Sequence, residues 1–252
     1  MNVPAASLPW RLAAVVAVRS ETAAVKTITF DVPDWPGHLA GQHVDMRLTA
    51  EDGYVAQRSY SIASTGGIGC RIELTIDLVP DGEISGFVHD ELKVGDRIEL
   101  RGPVGGYFVW PPQQDNSLLL VAGGSGIVPL MSILRTRALA KSNRPARLLY
   151  SSRSADRIIY RDELDALAAL PNGVVLTHTI TRGAPPGWPG ERSRIGRVML
   201  TRREFTPVDN PDVFVCGPTA FVETIASHLV AMGHPESKVR TERFGPTGEQ
   251  QE

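Results

Sequence analysis

Two short stretches bring together residue types suited to a phosphorylated, ring-bearing ligand. The first is Val121-Ala122-Gly123-Gly124-Ser125-Gly126-Ile127-Val128-Pro129, where an apolar run ends in glycines and a helical pattern begins at once. Glycines let the main chain approach a pyrophosphate, and a helix start offers unpaired amides with a partial positive charge. Pro129 stands where a dinucleotide fingerprint has its third glycine, and it suits a first helical turn because it lacks only a donor that is unpaired there anyway. An ordinary strand-to-helix turn has the same composition. The second stretch is Arg58-Ser59-Tyr60-Ser61. On a strand, residues 58 and 60 share a face, so a guanidinium and a phenol stand side by side, one for a phosphate and one for a flat ring. A polar strand face in water gives the same pattern.

Two further turns are weaker when taken singly. Gly82-Glu83-Ile84-Ser85 opens a helical stretch and offers more free amides to an anion, or is a simple turn and cap. Cys216-Gly217-Pro218-Thr219 ends an apolar strand and opens a helix, and a cysteine in that setting is most often a small buried apolar residue.

The elements that must carry these residues fall into two patterns. Up to about residue 110, short β-branched runs alternate with turn residues: 12–18, 25–32, 42–48, 56–63, 71–79 and 97–101, with one helix over 84–92. Six strands and one helix predict a small antiparallel barrel. From residue 117 strands alternate with helices. The strands are 117–122, 147–151, 174–180, 213–216 and 238–243; the helices are 128–140, 161–170 and 219–232. That alternation predicts a doubly wound parallel α/β sheet. The join is expected near Trp110-Pro111-Pro112-Gln113-Gln114, giving a barrel domain over 1–112 and a nucleotide-type domain over 113–252.

Bulk properties narrow the function. A chain of 252 residues is large for one core, which favours two domains. A formal net charge of −2 supplies no basic field for nucleic acid or anionic lipid, so neither is expected as a partner. Two cysteines, Cys70 and Cys216, cannot build a disulfide framework or a four-thiolate cluster, and the histidines show no metal spacing. No apolar run reaches the ~18 residues of a membrane helix, and the cytoplasm is the expected compartment.

The order and spacing of the motifs are more specific than any one of them. RSYS at 58–61, GEIS at 82–85, GPVGGYF at 102–108, GGSGIVP at 123–129, CGPTAF at 216–221 and ERFG at 242–245 together closely resemble the ferredoxin–NADP⁺ reductase superfamily. The resemblance runs from the first strand to Gly245. It implies that the barrel holds FAD, with Arg58 on its phosphates, Ser59 beside it in the motif, Tyr60 on the isoalloxazine, Ser61 near flavin N5, and Gly82, Ile84 and Ser85 at the pyrophosphate. It implies that Gly123, Gly124, Gly126 and Pro129 take the NAD(P)H pyrophosphate. Cys216, with Gly217 and Pro218, would lie near the nicotinamide, and Glu242 and Phe244 would close the far side of the flavin ring. Ser61, Cys216 and Glu242 are thereby the candidate catalytic residues. Residues after Gly245 read as tail.

The implied chemistry needs no general base. Hydride passes between stacked rings, so positioning is the protein's main task, and a hydroxyl or thiol near N5 stabilises charge that develops there. FAD in preference to FMN rests on the resemblance alone. For the reductant, Ser152 and Arg153 end the second strand of the nucleotide domain where an NADH-preferring protein often carries an acid; with Arg182 they suit the 2′-phosphate of NADPH. Asp156 and Asp162 nearby leave NADH open, and Arg192 and Arg197 read as a solvated basic loop. The missing cluster cysteines point to a separate electron acceptor, such as a ferredoxin, flavodoxin or oxygenase component. A non-catalytic flavin-binding subunit of a larger redox complex is the alternative.

Overall fold

In the computed structural model the described residues are 8–113, 116–202 and 205–245. They form two compact units, one comprising residues up to 113 with 128–142, the other 116–127 and 143–245.

The first unit is the expected antiparallel barrel. Its strands are β1 (Trp10–Thr22), β2 (Val25–Asp31), β3 (His43–Thr49), β4 (Val55–Ser61), β5 (Arg71–Asp77) and β6 (Arg97–Val104), in the order β4-β3-β6-β1-β2-β5. The ring closes where Ile62 bridges Leu74 and the Ala63 amide donates to the Glu73 carbonyl at 2.7 Å. Alternation fills the middle: Val44 and Met46 of β3, Ile28 and Phe30 of β2, Ile72 and Leu74 of β5 and Leu100 of β6 are fully buried. The intervening His43, Asp45 and Arg47 take the opposite face of β3. Helix α1 (Glu83–Asp90) buries Ile84 and Val88 in the barrel core.

Strand β1 is longer than its alternating middle because it pairs on both sides and carries register shifts at Val15/Ala17 and Ser20/Thr22, which break the period-two pattern. Trp110, expected within a linker, is instead 1% exposed and donates its amide to Ala40, because so large an apolar ring is better buried than solvated. Gln114, at the end of that stretch, and the tail from residue 246 lie outside the described residues. Helix α2 (Ile127–Leu139) belongs by its contacts, from Val128 onward, with the barrel.

The second unit is a parallel sheet of β7 (Leu118–Gly123), β8 (Ala146–Ser152), β9 (Val175–Ile180), β10 (Asp212–Pro218) and β11 (Val239–Phe244), ordered β11-β10-β7-β8-β9. The central β7 reads Leu-Leu-Leu-Val-Ala-Gly and is buried throughout, as a strand covered on both faces must be. Helices α3 (Arg161–Ala169) and α5 (Thr219–Ala231) follow β8 and β10. A short helix, α4 (Arg197–Leu200), interrupts the stretch read as a basic loop; Met199 and Leu200 anchor it, while Arg192, Arg194 and Arg197 are exposed.

Candidate functional site

In the barrel, β4 carries Arg58–Ser61 opposite β3, with Asp45 facing Ser59 and His43 facing Ser61 in the antiparallel register. Asp45 is almost buried. It accepts a hydrogen bond from Ser59 Oγ at 2.6 Å and an ion pair from Arg101 Nη2 at 2.8 Å, so it fixes the strand between two partners. The Arg58 side chain is exposed, and its Nη1 donates to the neighbouring Gln57 carbonyl at 2.7 Å, which leaves most of the guanidinium's donors turned outward. Tyr60 is half-buried against the barrel core. Burial pushes its phenol up to about 12, against the opposing pull of the Arg58 charge, so it stays a neutral ring. Ser61 is buried, and burial lowers the pKa of His43 across from it, Asp45 acting in the opposite sense.

No side chain caps the start of α1. Ser85 Oγ, which could have done so, is occupied in the turn itself, accepting from the Val79 amide at 3.2 Å and donating to the Gly82 carbonyl at 3.1 Å. A Cβ at Gly82 would lie 2.5 Å from that hydroxyl, which would have to turn aside, and 3.0 Å from the Val79 carbonyl oxygen. Glu83 is engaged from outside by the Tyr54 hydroxyl at 2.9 Å.

In the second unit, the two glycine turns end adjacent parallel strands, with Cys216 in register with Ala122. Gly124 takes the left-handed conformation at φ 55°, as the sharp exit from β7 requires. Gly126 is pressed against the Cys216 carbonyl, and a Cβ on it would also lie 2.7 Å from Gly217 N. Phe221 walls both turns: Cβ atoms at Gly123 and Gly217 would approach its ring to 3.0 and 2.9 Å. Cys216 is fully buried. Burial drives its thiol pKa well up, and Glu242, its register partner on β11, acts in the same direction, so the sulfur stays protonated. Phe244 is half-buried opposite Pro218.

At the ends of β8 and β9, the Arg182 amide donates to the Arg153 carbonyl at 2.7 Å and the Thr181 amide to Ser152 at 3.0 Å. Both arginines are therefore neighbours and exposed, whereas Ser152 is 4% exposed with its hydroxyl enclosed. Arg153 and Arg182 are the pair presented to solvent. Gly123–Gly126, Cys216–Pro218, Arg153 and Arg182 all lie at the carboxyl ends of parallel strands, where open α/β sheets take ligands.

The residues fit the cofactors the motifs imply. An outward guanidinium, a half-buried phenol two residues on and an uncapped helix start suit a phosphorylated flat ring. The second unit offers a glycine turn, too tight for any Cβ at Gly126, that runs directly into a helix. Asp45 and Arg101 escaped the sequence reading, and Phe221 entered it only as the end of the CGPTAF motif, since nothing local marks a carboxylate that works across strands or a ring that walls a turn.

Comparison with known proteins agrees with this division. Residues 13–109 match an oxidoreductase FAD-binding domain and residues 120–227 an oxidoreductase NAD-binding domain. The chain is 33% identical over 237 residues to the glycine betaine monooxygenase reductase subunit of Pseudomonas aeruginosa, covering 92% of this chain and 63% of that protein. It is also 33% identical over 239 residues to ferredoxin–NADP reductase B of Sorangium cellulosum, covering 92% of this chain and 96% of that one. Among solved structures, the FAD/NAD-binding domain of a Vibrio cholerae nitric oxide dioxygenase superposes with a TM-score of 0.80 at 24% identity over 94% of this chain and 99% of that one. A Neisseria gonorrhoeae ferredoxin NADP⁺ reductase with bound FAD and NADP superposes at 0.78 and 22% over 94% and 98%. These two structures establish the fold. With both domain types matched in this order and a full-length relative at one-third identity, the chain belongs to the ferredoxin–NADP reductase-like family.

Proposed function

We propose that the chain is an FAD-dependent NAD(P)H oxidoreductase that passes electrons from the nicotinamide through flavin to a separate redox partner. Residues 1–112 would hold FAD and residues 113–252 the nicotinamide cofactor. The observation that carries this reading is the pairing of an outward Arg58 and half-buried Tyr60 on β4 with the close-packed Gly126 turn, each on the unit whose family model fits it. Related proteins are named as reductase components serving a monooxygenase or a ferredoxin, which supports an acceptor of that class.

Arg58 and the start of α1 would meet the flavin phosphates, Tyr60 would cover a face of the ring, and Ser61 would donate a hydrogen bond towards N5. The turn at Gly123–Gly126, entering α2 at Ile127 and Pro129, would cradle the nicotinamide pyrophosphate. Cys216, Glu242 and Phe244 would line the approach of the reacting rings, the thiol as a neutral group. Bound flavin supplies a two-electron acceptor that can release electrons singly. What the chain contributes is binding, orientation and exclusion of water.

Arg153 and Arg182, exposed and adjacent, favour NADPH, because two guanidiniums suit a 2′-phosphate better than a ribose hydroxyl. Arg153→Ala should therefore lower the NADPH/NADH turnover ratio, and an unchanged ratio removes that preference. No helix among the described residues is long and apolar enough to cross a membrane, and we assign the reaction to the cytoplasm. The decisive experiment is anaerobic: purified protein reconstituted with FAD should be yellow and bleach on adding NADPH or NADH. A yellow protein that neither cofactor bleaches is a flavin-binding subunit, not a reductase.

A further inference from the structure

The segment that leaves β9 turns back on its own strand, wholly within the second unit. Residues 181–190 form a loop whose two ends are joined. The Ile180 amide donates to the Glu191 carbonyl at 2.9 Å, and the Glu191 amide to the His178 carbonyl at 2.9 Å. Beyond this closure Thr179 Oγ1 donates to the Ser193 carbonyl, and Glu191 pairs with Arg202 at 2.7 Å. At its start the loop stays against β8, through the Thr181 and Arg182 amides on the Ser152 and Arg153 carbonyls.

Trp188 holds the rest of the loop down. Its ring meets the His178 ring edge-on, centres 6.2 Å apart, and the His178 ring lies 5.7 Å from that of Tyr150 on β8. From α3, the Arg161 guanidinium carbon stands 5.9 Å from the centre of the Trp188 ring. A Cβ at Gly190 would lie 2.5 Å from the His178 carbonyl oxygen and 2.7 Å from Trp188 Nε1, so the indole is pressed against the closed end of the loop. Trp188 Nε1 and both ring nitrogens of His178 are enclosed, with no hydrogen-bond partner among the described residues. The two rings thus serve as packing plates and hold the loop by shape. Arg182 is exposed on the segment they pin. A guanidinium carried on a fixed main chain loses less freedom when it meets an anion than one on a loose loop, and so binds it more tightly.

We propose that Trp188, seated on His178, is a positioning residue for nucleotide selection: it holds the 181–190 loop so that Arg182 is aimed, with Arg153, at a 2′-phosphate, without itself touching the nucleotide. The proposal rests on the NADPH preference proposed above and adds the side chain that sets it.

The test uses the full chain with FAD bound and two probes, 2′,5′-ADP and 5′-AMP, which differ only in the 2′-phosphate. Both are titrated by calorimetry. The parent should bind 2′,5′-ADP at least about tenfold more tightly than 5′-AMP, the scale of one hydrogen bond to a charged group. Arg182→Ala should lose most of that preference. Trp188→Leu should lose a similar share, entirely through 2′,5′-ADP, with 5′-AMP affinity as in the parent. Trp188→Phe, which puts a ring back over His178, should recover much of it. If Trp188→Leu fails to fold, His178→Ala, which removes the plate beneath the indole, carries the comparison. A parental preference in Arg182→Ala or in the loop variant overturns the proposal, as does a loop variant that loses affinity for both probes equally. A parent that binds the two probes alike overturns the NADPH preference and this role together, whereas a preference that Arg182→Ala abolishes and the loop variant keeps overturns this role alone. Flavin reduction by either nicotinamide is tested separately by the bleaching experiment.

Discussion

Replacing Gly126 by alanine adds a single methyl group where the surroundings cannot yield. The Cβ would meet the carbonyl of Cys216 and lie 2.7 Å from Gly217 N. Both are main-chain atoms of β10, held by pairing with β7 on one side and β11 on the other, so neither can rotate away as a side chain would. Gly126 is not among the glycines with positive φ, so alanine meets no backbone penalty and the effect is purely steric. Overpacking of this kind costs about 1–3 kcal/mol, and a rigid main-chain wall puts the figure towards the upper end. If the turn moves to relieve the contact, its amides lose their aim at the pyrophosphate. Each hydrogen bond to a charged phosphate is worth about 1.5–3 kcal/mol, so losing one weakens nucleotide binding by about ten- to a hundredfold. The assay is a calorimetric titration of NADP⁺ alongside urea unfolding, with FAD binding to the barrel as the internal control. Gly126→Ala protein with parental NADP⁺ affinity and an unmoved urea midpoint would refute the argument that this glycine exists for close approach.

Three other perturbations test separate parts of the site. Ser61→Ala should leave FAD bound but slow flavin reduction by about 10-fold or more, one lost donor at a fully developed oxyanion costing about 10²–10³-fold; an unchanged single-turnover rate would remove Ser61 from the mechanism. Cys216, buried and with its pKa driven up, should resist iodoacetamide at pH 8 while exposed Cys70 reacts, giving one label per native chain and two in urea. Burial of the neutral thiol adds stability that is fully present below the unfolded value of about 8.5 and fades as pH rises towards the folded one; equal labelling of both cysteines in the native state contradicts this. His178 has both ring nitrogens enclosed without a hydrogen-bond partner, beside Tyr150 and Trp188, and burial lowers its pKa, with Arg161 adding to the effect and Asp165 opposing it. Its neutral form stabilises the fold above about pH 6.5, and that contribution is lost as pH falls through the depressed folded value. The urea midpoint of the parent should therefore drop between pH 7.5 and 5, and His178→Phe should flatten the drop; an equally steep fall in the variant excludes His178 as its source.

The architecture was legible because it is written in local periods. Every strand and the four long helices can be read from alternation, apolar runs and glycine turns, and the runs in β7 and β10 announce a parallel sheet before any pairing is known. The ends of β1 were hidden by its register shifts, and α4 by its brevity, since four residues carry no period. Arg58–Ser61 and Gly123–Pro129 stood out as composition. What they lean on did not: Asp45 meets Ser59 only through the β3–β4 register, and Arg135 meets Ala63 across 72 positions. Ser152 differs from its neighbours in a way its sequence position does not reveal: its hydroxyl is enclosed, while Arg153 and Arg182 face solvent.

The closure of the barrel bears on how it breathes. Neighbouring strands elsewhere are zipped along runs such as the seven paired positions of β3 and β4 or of β2 and β5, whereas β4 and β5 meet at the Ile62–Leu74 bridge and the adjoining Ala63–Glu73 bond. Strand opening is cheapest where the fewest bonds must break, so amide exchange around Ile62 and Ala63 should outpace that of β2. The strand beside this seam is the one bearing Arg58, Tyr60 and Ser61. A ligand gripping those side chains draws the open and closed barrels apart in free energy, and slower exchange along the seam then reports flavin occupancy without reference to colour or catalysis.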